Sequence, residues 1–152
     1  MRAIYFDSEA PTLQAAYPDP IPMATEALIR PTRMGICATD IELCKGYMGF
    51  QGVLGHEFVG MVESVHDRND KRWTGKRVVG SINCVCGCCD MCKAGLREHC
   101  RNRSVLGIQN RDGVFADAFS LPIVNLLEVP VNVDDDRATF VEPLAAAYQI
   151  LR

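Results

Sequence analysis

The sequence predicts a mainly β domain with short helices, an α+β chain. Three observations carry that prediction. Apolar residues recur mostly at a spacing of two or irregularly, as half-buried strands require, and 12 Gly and 8 Pro cut them into short runs. Helix-like spacing is confined to residues 38–46 and the stretch after 134. Between them, residues 83–104 hold six of the eight cysteines and almost no aliphatic pattern. That lobe cannot build an apolar core and needs another kind of cross-link.

Each element follows in order. MRAIYF (1–6) predicts a strand. ALIRPTRMGI (27–36) predicts a second, in which Pro31 marks an edge or a bulge because it donates no ladder hydrogen bond. ATDIELCKG (38–46) predicts about two helical turns, capped by Thr39 or Asp40 and stopped by Gly46. HEFVGMVESV (56–65) alternates as a strand, with Gly60 marking a bulge or a close backbone approach. KRVVGSI (76–82), VFADAFSL (114–121) and VNLLEV (124–129) predict three more. Asp134, Asp135 and Asp136 suit the positive end of a helix dipole. RATFVEPLAAAYQILR continues as helix, and Pro143 starts a second segment or kinks the first. The pattern is still helical at Leu151 and Arg152, with no capping Gly and no polar tail, so a truncated chain is expected.

At 152 residues, 48% hydrophobic and 23% charged, the chain makes one domain, or one and a fragment of a second. That composition excludes disorder and low complexity. Its apolar runs are a few residues long, too short for a membrane span, and its first residues have no apolar signal-peptide core. No membrane partner and a cytoplasmic location are therefore expected. A net charge of -3 and a pI near 5.6 argue against a broad nucleic-acid footprint. Arg97, Arg101 and Arg103 form only a local basic patch.

Cys86, Cys89, Cys92 and Cys100 carry the strongest local signal. Four thiolates at short spacing close a loop around one tetrahedral ion, most often zinc, and its binding energy becomes folding energy. The first three spacings also suit an iron–sulfur run. There the fourth Cys follows after three residues and precedes Pro, whereas Cys100 follows after seven and precedes Arg101. Disulfides are the remaining alternative and are disfavoured in a reducing compartment. Cys84 and Cys88 are surplus to the spacing.

A second, dispersed set comprises Cys37 in GICATD, His56 and Glu57 in GHE, and Glu142 in VEPLAAA. Singly these read as a small buried thiol, a core imidazole and a helix-capping carboxylate. Together they offer the mixed thiolate, imidazole and carboxylate donors of an open zinc site.

GICATD, VLGHEFVGMV, the four-cysteine lobe, GVFADAFSLP and VEPLAAA, in that order along nearly the whole chain, resemble the zinc-dependent medium-chain dehydrogenases of alcohols, polyols, threonine and glucose. The resemblance implies a GroES-like fold, a distorted antiparallel β-barrel with a cysteine-rich zinc lobe. It implies a catalytic domain over 1–133, containing the lobe at 83–104, and over 134–152 the start of a helix toward a nucleotide-binding domain. It makes Cys37 and His56 catalytic zinc ligands, Glu57 a further or exchanging ligand, and Glu142 a carboxylate near that zinc. Cys86, Cys89, Cys92 and Cys100 would hold a structural zinc, giving two zinc ions per chain.

The implied reaction is hydride transfer between a small alcohol, polyol or sugar and NAD or NADP in the full-length protein. Thr39 is implied as the first hydroxyl of a proton relay, with helix capping as its plainer role. Asp40 is expected to accept the free N–H of His56; its plainer role is a carboxylate in the first helical turn. His66 and His99 have no motif support and read as surface residues. Ala38, Glu42 and Lys76 depart from the pattern, Glu42 standing where several relatives carry a relay His. No G-x-G-x-x-G follows a strand in this sequence. The chain by itself is therefore expected to lack turnover, and a homo-oligomer is compatible with the resemblance. The rival expectation is a standalone zinc-binding module with a structural, partner-binding or thiol-redox role.

Overall fold

Two long antiparallel strands organise the molecule. The computed structural model describes residues 1–150; Leu151 and Arg152, where the helical pattern was expected to run on, lie outside the described residues. In chain order the elements are β1 (Ala3–Phe6), β2 (Pro11–Gln14), β3 (Glu26–Gly35), α1 (Ala38–Cys44), β4 (Gly52–Val53), β5 (Glu57–Val65), β6 (Arg77–Gly80), β7 (Asn83–Cys84), α2 (Asp90–Lys93), β8 (Ser104–Val105), β9 (Phe119–Pro122), β10 (Leu126–Glu128), α3 (Asp135–Thr139) and α4 (Val141–Gln149). Strands β10-β6-β5-β3-β9 form one sheet, β2-β1-β4 a second, and β7-β8 a two-stranded ribbon. Every pairing is antiparallel. The larger sheets are stitched together by the Ala3–Ala116 bridge and by the Ile4 amide, which donates to the Phe115 carbonyl at 2.7 Å. The result is the mainly β architecture with short helices that the apolar spacing predicts.

Pro31 lies inside β3 and the ladder accommodates it with a bulge. The β3–β5 register slips between Leu28 and Ile29 and again between Pro31 and Arg33. Strand β9 covers β3 only from Glu26 to Ile29, so Pro31 meets a partner on one side alone, as a residue without an N–H requires. Gly60 sits opposite Pro31. A Cβ at Gly60 would lie 2.7 Å from the Arg30 carbonyl oxygen, which is the close approach expected there.

The sheet buries both faces. Ile29, Phe58, Val62, Val78, Phe119 and Leu121 point into the main core with Leu106 and Val114, and the Phe58 and Phe119 rings meet edge to face with centroids 4.8 Å apart. On the other face Val59, Val79 and Val129 pack under Ala138 of α3. That helix is pinned by Asp135, which accepts from the Thr32 hydroxyl at 2.7 Å and from Arg77 at 2.9 Å. Arg77 also donates to the Pro130 and Val133 carbonyls.

The structure departs from expectation at five points. Only Phe119–Pro122 of 114–121 is strand; Val114 and Phe115 donate to Gly55 and Leu54, while the Phe115 carbonyl serves Ile4. A segment shared between neighbours in this way forms no ladder of its own. Residues 123–125 make a 3-10 turn before β10, because the Asn125 amide is drawn inward to the carbonyls of Ser81 and Asn83. The cap of α1 is Cys37, with Asp40 in the first turn and Thr39 inside the helix. Strands β2, β4, β7 and β8 were not foreseen: β2 is exposed at every position, and the others are two residues long, so none has an alternation to read. The break between α3 and α4 falls at Phe140, three residues before Pro143. Among the described residues no helix is long and apolar enough to cross a membrane.

Glu26, buried at the start of β3, accepts from Arg111 at 2.7 Å, from the Ser120 hydroxyl at 3.0 Å and from the Met23 amide at 3.2 Å. Burial pushes its carboxyl up, but these three donors outweigh burial and hold it below its usual value. The pair therefore stabilises the fold above the unfolded carboxylate pKa of about 4.3, and its contribution fades as pH falls through the lower folded value. Arg111→Met should cost about 3–5 kcal/mol in urea unfolding at neutral pH, since it strands a buried charge. Glu26→Gln in the same background should recover part of that loss.

Candidate metal centres

The β3–β5 register brings two distant motifs together. Gly35, at the end of β3, lies directly opposite Glu57, at the start of β5. Cys37 follows two residues after Gly35, and His56 immediately precedes Glu57. Their donor atoms, one from each of Cys37, His56 and Glu57, lie within 4.8 Å of one another. His56 is 2% exposed, Glu57 is buried and Cys37 is half-buried.

Asp40 holds this corner in shape. Its Oδ2 accepts from the Cys37 amide at 2.9 Å and its Oδ1 from the Gly55 amide at 3.1 Å. His56 Nδ1 lies 3.4 Å from Asp40 Oδ1 but makes no hydrogen bond. The contact is a close charge approach, and the same carboxylate serves two backbone amides beside it. Burial alone would lower the His56 pKa; Asp40 and the Cys37 sulfur outweigh it and raise it to about 9. A thiol, an imidazole and a carboxylate gathered this closely in a buried corner fit a divalent ion, which would displace the imidazole proton on binding.

Two further candidates flank the group. The Cys37 thiol lies 3.6 Å from the Thr39 hydroxyl. Glu142, in the first turn of α4, stands outside the group of three, yet its carboxyl is raised first by burial and then by Glu57 and Asp40, against a lowering by His56. Glu42 is exposed and pairs with Lys45 at 2.8 Å, turned toward solvent. His66 and His99 are exposed, as expected of surface residues.

The second group is local. Cys86, Cys89, Cys92 and Cys100 bring their sulfurs within 4.8 Å of one another. The ribbon β7–β8 closes the base of the lobe. Cys89 caps α2 and accepts from the Cys92 amide at 3.5 Å, and Cys100 accepts from the Cys86 amide at 3.3 Å. Backbone amides of Cys88 and Cys89 pull the Cys86 thiol down to about 5, while desolvation and the sulfurs of Cys89 and Cys100 push Cys92 up to about 12. Four sulfurs this close cannot all ionise without a cation between them, so the donor set fits a divalent metal. All eight cysteines are free thiols in this structure. Cys84 is buried in the main core, where the Asn125 amide meets its sulfur at 3.7 Å, and Cys88 is exposed. Of the basic patch, Arg101 is tied to Asp90 by two 2.7 Å bonds and Arg103 donates to the Glu98 carbonyl.

Thr32, Arg77 and Asp135, which seat α3 ahead of Glu142, were not legible in the sequence. They are far apart along the chain and belong to no motif.

Comparison with known proteins agrees with this fold. Residues 23–131 match the family model described as the alcohol dehydrogenase GroES-like domain. L-threonine 3-dehydrogenase of Pseudoalteromonas atlantica is 34% identical over 147 residues, covering 93% of this chain and 40% of that protein. Among solved structures, a short-chain alcohol dehydrogenase from E. coli CFT073 complexed with NADH superposes with a TM-score of 0.87 at 28% identity, covering 97% of this chain and 44% of its own. The alcohol dehydrogenase of Thermus sp. ATN1 gives a TM-score of 0.83 at 32% identity over 97% of this chain and 46% of its own. The chain thus spans less than half the length of each of these three.

Asp40→Ala would leave the Cys37 and Gly55 amides without their acceptor, at a cost of about 1–3 kcal/mol for each amide left buried and unpaired. Chemical denaturation should show a total loss within that range or above it. Metal uptake by the Cys37 group should weaken with it, while uptake by the four-cysteine lobe stays intact.

Proposed function

The chain belongs to the alcohol dehydrogenase GroES-like domain family, and on that premise we propose that it is the catalytic-domain portion of a zinc-dependent NAD(P) oxidoreductase interconverting an alcohol, polyol or sugar with its carbonyl form. The observation that carries this reading is the convergence of Cys37, His56 and Glu57 at a centre distinct from the four-cysteine lobe. A purely structural module needs the lobe alone. The mixed donors of the first centre suit an ion with an open position, and the four sulfurs of the second suit a closed structural ion.

In this reading Cys37, His56 and Glu57 hold the catalytic zinc, Glu142 faces it from α4, and Cys86, Cys89, Cys92 and Cys100 hold the structural zinc. Bound there, zinc supplies a Lewis acid that polarises a substrate oxygen and eases deprotonation of a hydroxyl. The protein's own groups do the rest. The Thr39 Oγ1 receives the substrate hydroxyl proton and releases its own outward. Asp40 fixes the Cys37 and Gly55 backbones, so that thiolate and imidazole stay aimed at one point. Burial of His56 and Glu57 keeps water from competing for the site.

Residues 1–133 form the catalytic domain and 134–152 lead toward the part of the full-length protein that would hold the nicotinamide. An NADH complex of a structural relative supports that assignment. The substrate class follows the same line. Relatives named for L-threonine and for alcohols act on molecules with a hydroxyl-bearing carbon, and the carboxylates beside the site lean toward a polyhydroxylated substrate over a simple alcohol.

Elemental analysis of protein purified without added metal tests the reading. Two zinc ions per chain are expected, with Cys37→Ser and Cys86→Ser each removing a different one. With cobalt(II) in the Cys37 centre, a polyol or alcohol should alter the visible absorption, and the lobe should be unaffected. A single ion that survives Cys37→Ser would overturn it.

A further inference from the structure

Gly35 needs a reason for being glycine. Its backbone is not in the left-handed region, since it is absent from the positive-φ glycines, so any residue could adopt its conformation. It lies in the last pair of the β3–β5 ladder, where glycine weakens a strand. Met34 and Ile36 on either side point to the opposite face and line a shallow apolar groove with Ile4 and Phe115. Space is therefore the remaining explanation. A Cβ built at Gly35 would lie 2.1 Å from Glu57 Oε2, 3.1 Å from Glu57 Cβ and 3.2 Å from Glu57 Cδ. The three nearest atoms all belong to one side chain.

We infer that Gly35 is a positioning residue whose missing side chain is the seat of the Glu57 carboxylate, and that it sets whether this carboxylate reaches the Cys37–His56 centre. The inference rests on the reading of Glu57 as a metal ligand. The contacts are graded. The carbon atoms of Glu57 would have to yield by a few tenths of an ångström, but Oε2 would have to leave its place altogether. A methyl group at position 35 thus leaves the ladder standing and evicts the carboxylate. Since Glu57 is buried, the evicted group has little room to turn within the same pocket. Chain geometry at this point does the work that a hydrogen-bonding partner does elsewhere: it limits the rotamers of a ligand by leaving one cavity for it.

The test uses the whole chain with zinc kept in the lobe and cobalt(II) titrated into the Cys37 centre, comparing the unsubstituted protein with Gly35→Ala, Glu57→Ala and the double variant. Gly35→Ala should weaken cobalt binding about 10- to 100-fold, as loss of support around a ligand does. Its absorption bands should move in the direction that Glu57→Ala moves them. In the Glu57→Ala background Gly35→Ala should add nothing, because the two residues act through one contact. Glu57→Asp, whose shorter side chain escapes the clash, should restore part of the affinity lost by Gly35→Ala.

An equal penalty from Gly35→Ala in both backgrounds would mean a general backbone role and overturn the inference. So would an unshifted cobalt spectrum in Gly35→Ala beside a shifted one in Glu57→Ala. If Glu57→Ala itself changes neither affinity nor spectrum, Glu57 is no ligand and the underlying reading falls with the inference. Should Gly35→Ala fail to fold while the double variant folds, the clash with Glu57 is confirmed as the cause. Failure of both overturns it.

Discussion

One buried carboxylate fixes the chemistry-bearing corner of this molecule. Asp40 accepts the Cys37 amide with one oxygen and the Gly55 amide with the other, tying the start of α1 to the loop that delivers His56. Both amides are otherwise orphans, one at a helix end and one in a loop between strands, so the arrangement satisfies donors that would each be costly to bury alone. The negative charge left behind faces His56 at 3.4 Å, and this explains why a buried imidazole here is drawn toward its charged form. Structure and electrostatics of the site are therefore set by the same side chain.

That latch works only because the sheet beneath it is rigid. β3 and β5 pair along almost their whole length, and their neighbours pack both faces. The bulges around Pro31 absorb the missing donor within the middle of the ladder and let the strand recover its register before Gly35. A slip of one residue there would turn Glu57 away from Cys37, since side chains alternate faces along a strand. The Arg77–Asp135–Thr32 contacts extend the same rigidity to α3, and through it to the helix that carries Glu142.

The two candidate metal centres are built on different principles. The four-cysteine lobe is a short loop closed on itself, with backbone amides aimed at sulfurs and almost no apolar residues inside. Its ligands come within 15 residues of each other, so little chain entropy is lost in gathering them. The Cys37 centre draws on two strand ends and faces α4 across a longer span of sequence. Its geometry is inherited from the sheet, which keeps the donors in place.

The local centre was legible from spacing alone, because its ligands are neighbours in sequence and the chemistry of four clustered thiols leaves few alternatives. The mainly β character was legible too, since apolar alternation reports which side of a strand is buried. The short strands were not, as two residues carry no period, and 114–118 misled because its backbone is shared among neighbours without a ladder of its own. The sequence likewise offered Cys37, His56, Glu57 and Glu142 as a set, but the convergence of the first three, the backbone partners of Asp40 and the space that Gly35 leaves for Glu57 are through-space facts. They depend on the register of two strands and on which atoms face each other across it, and only the tertiary structure, by summing many weak packing contacts into one register, decides that.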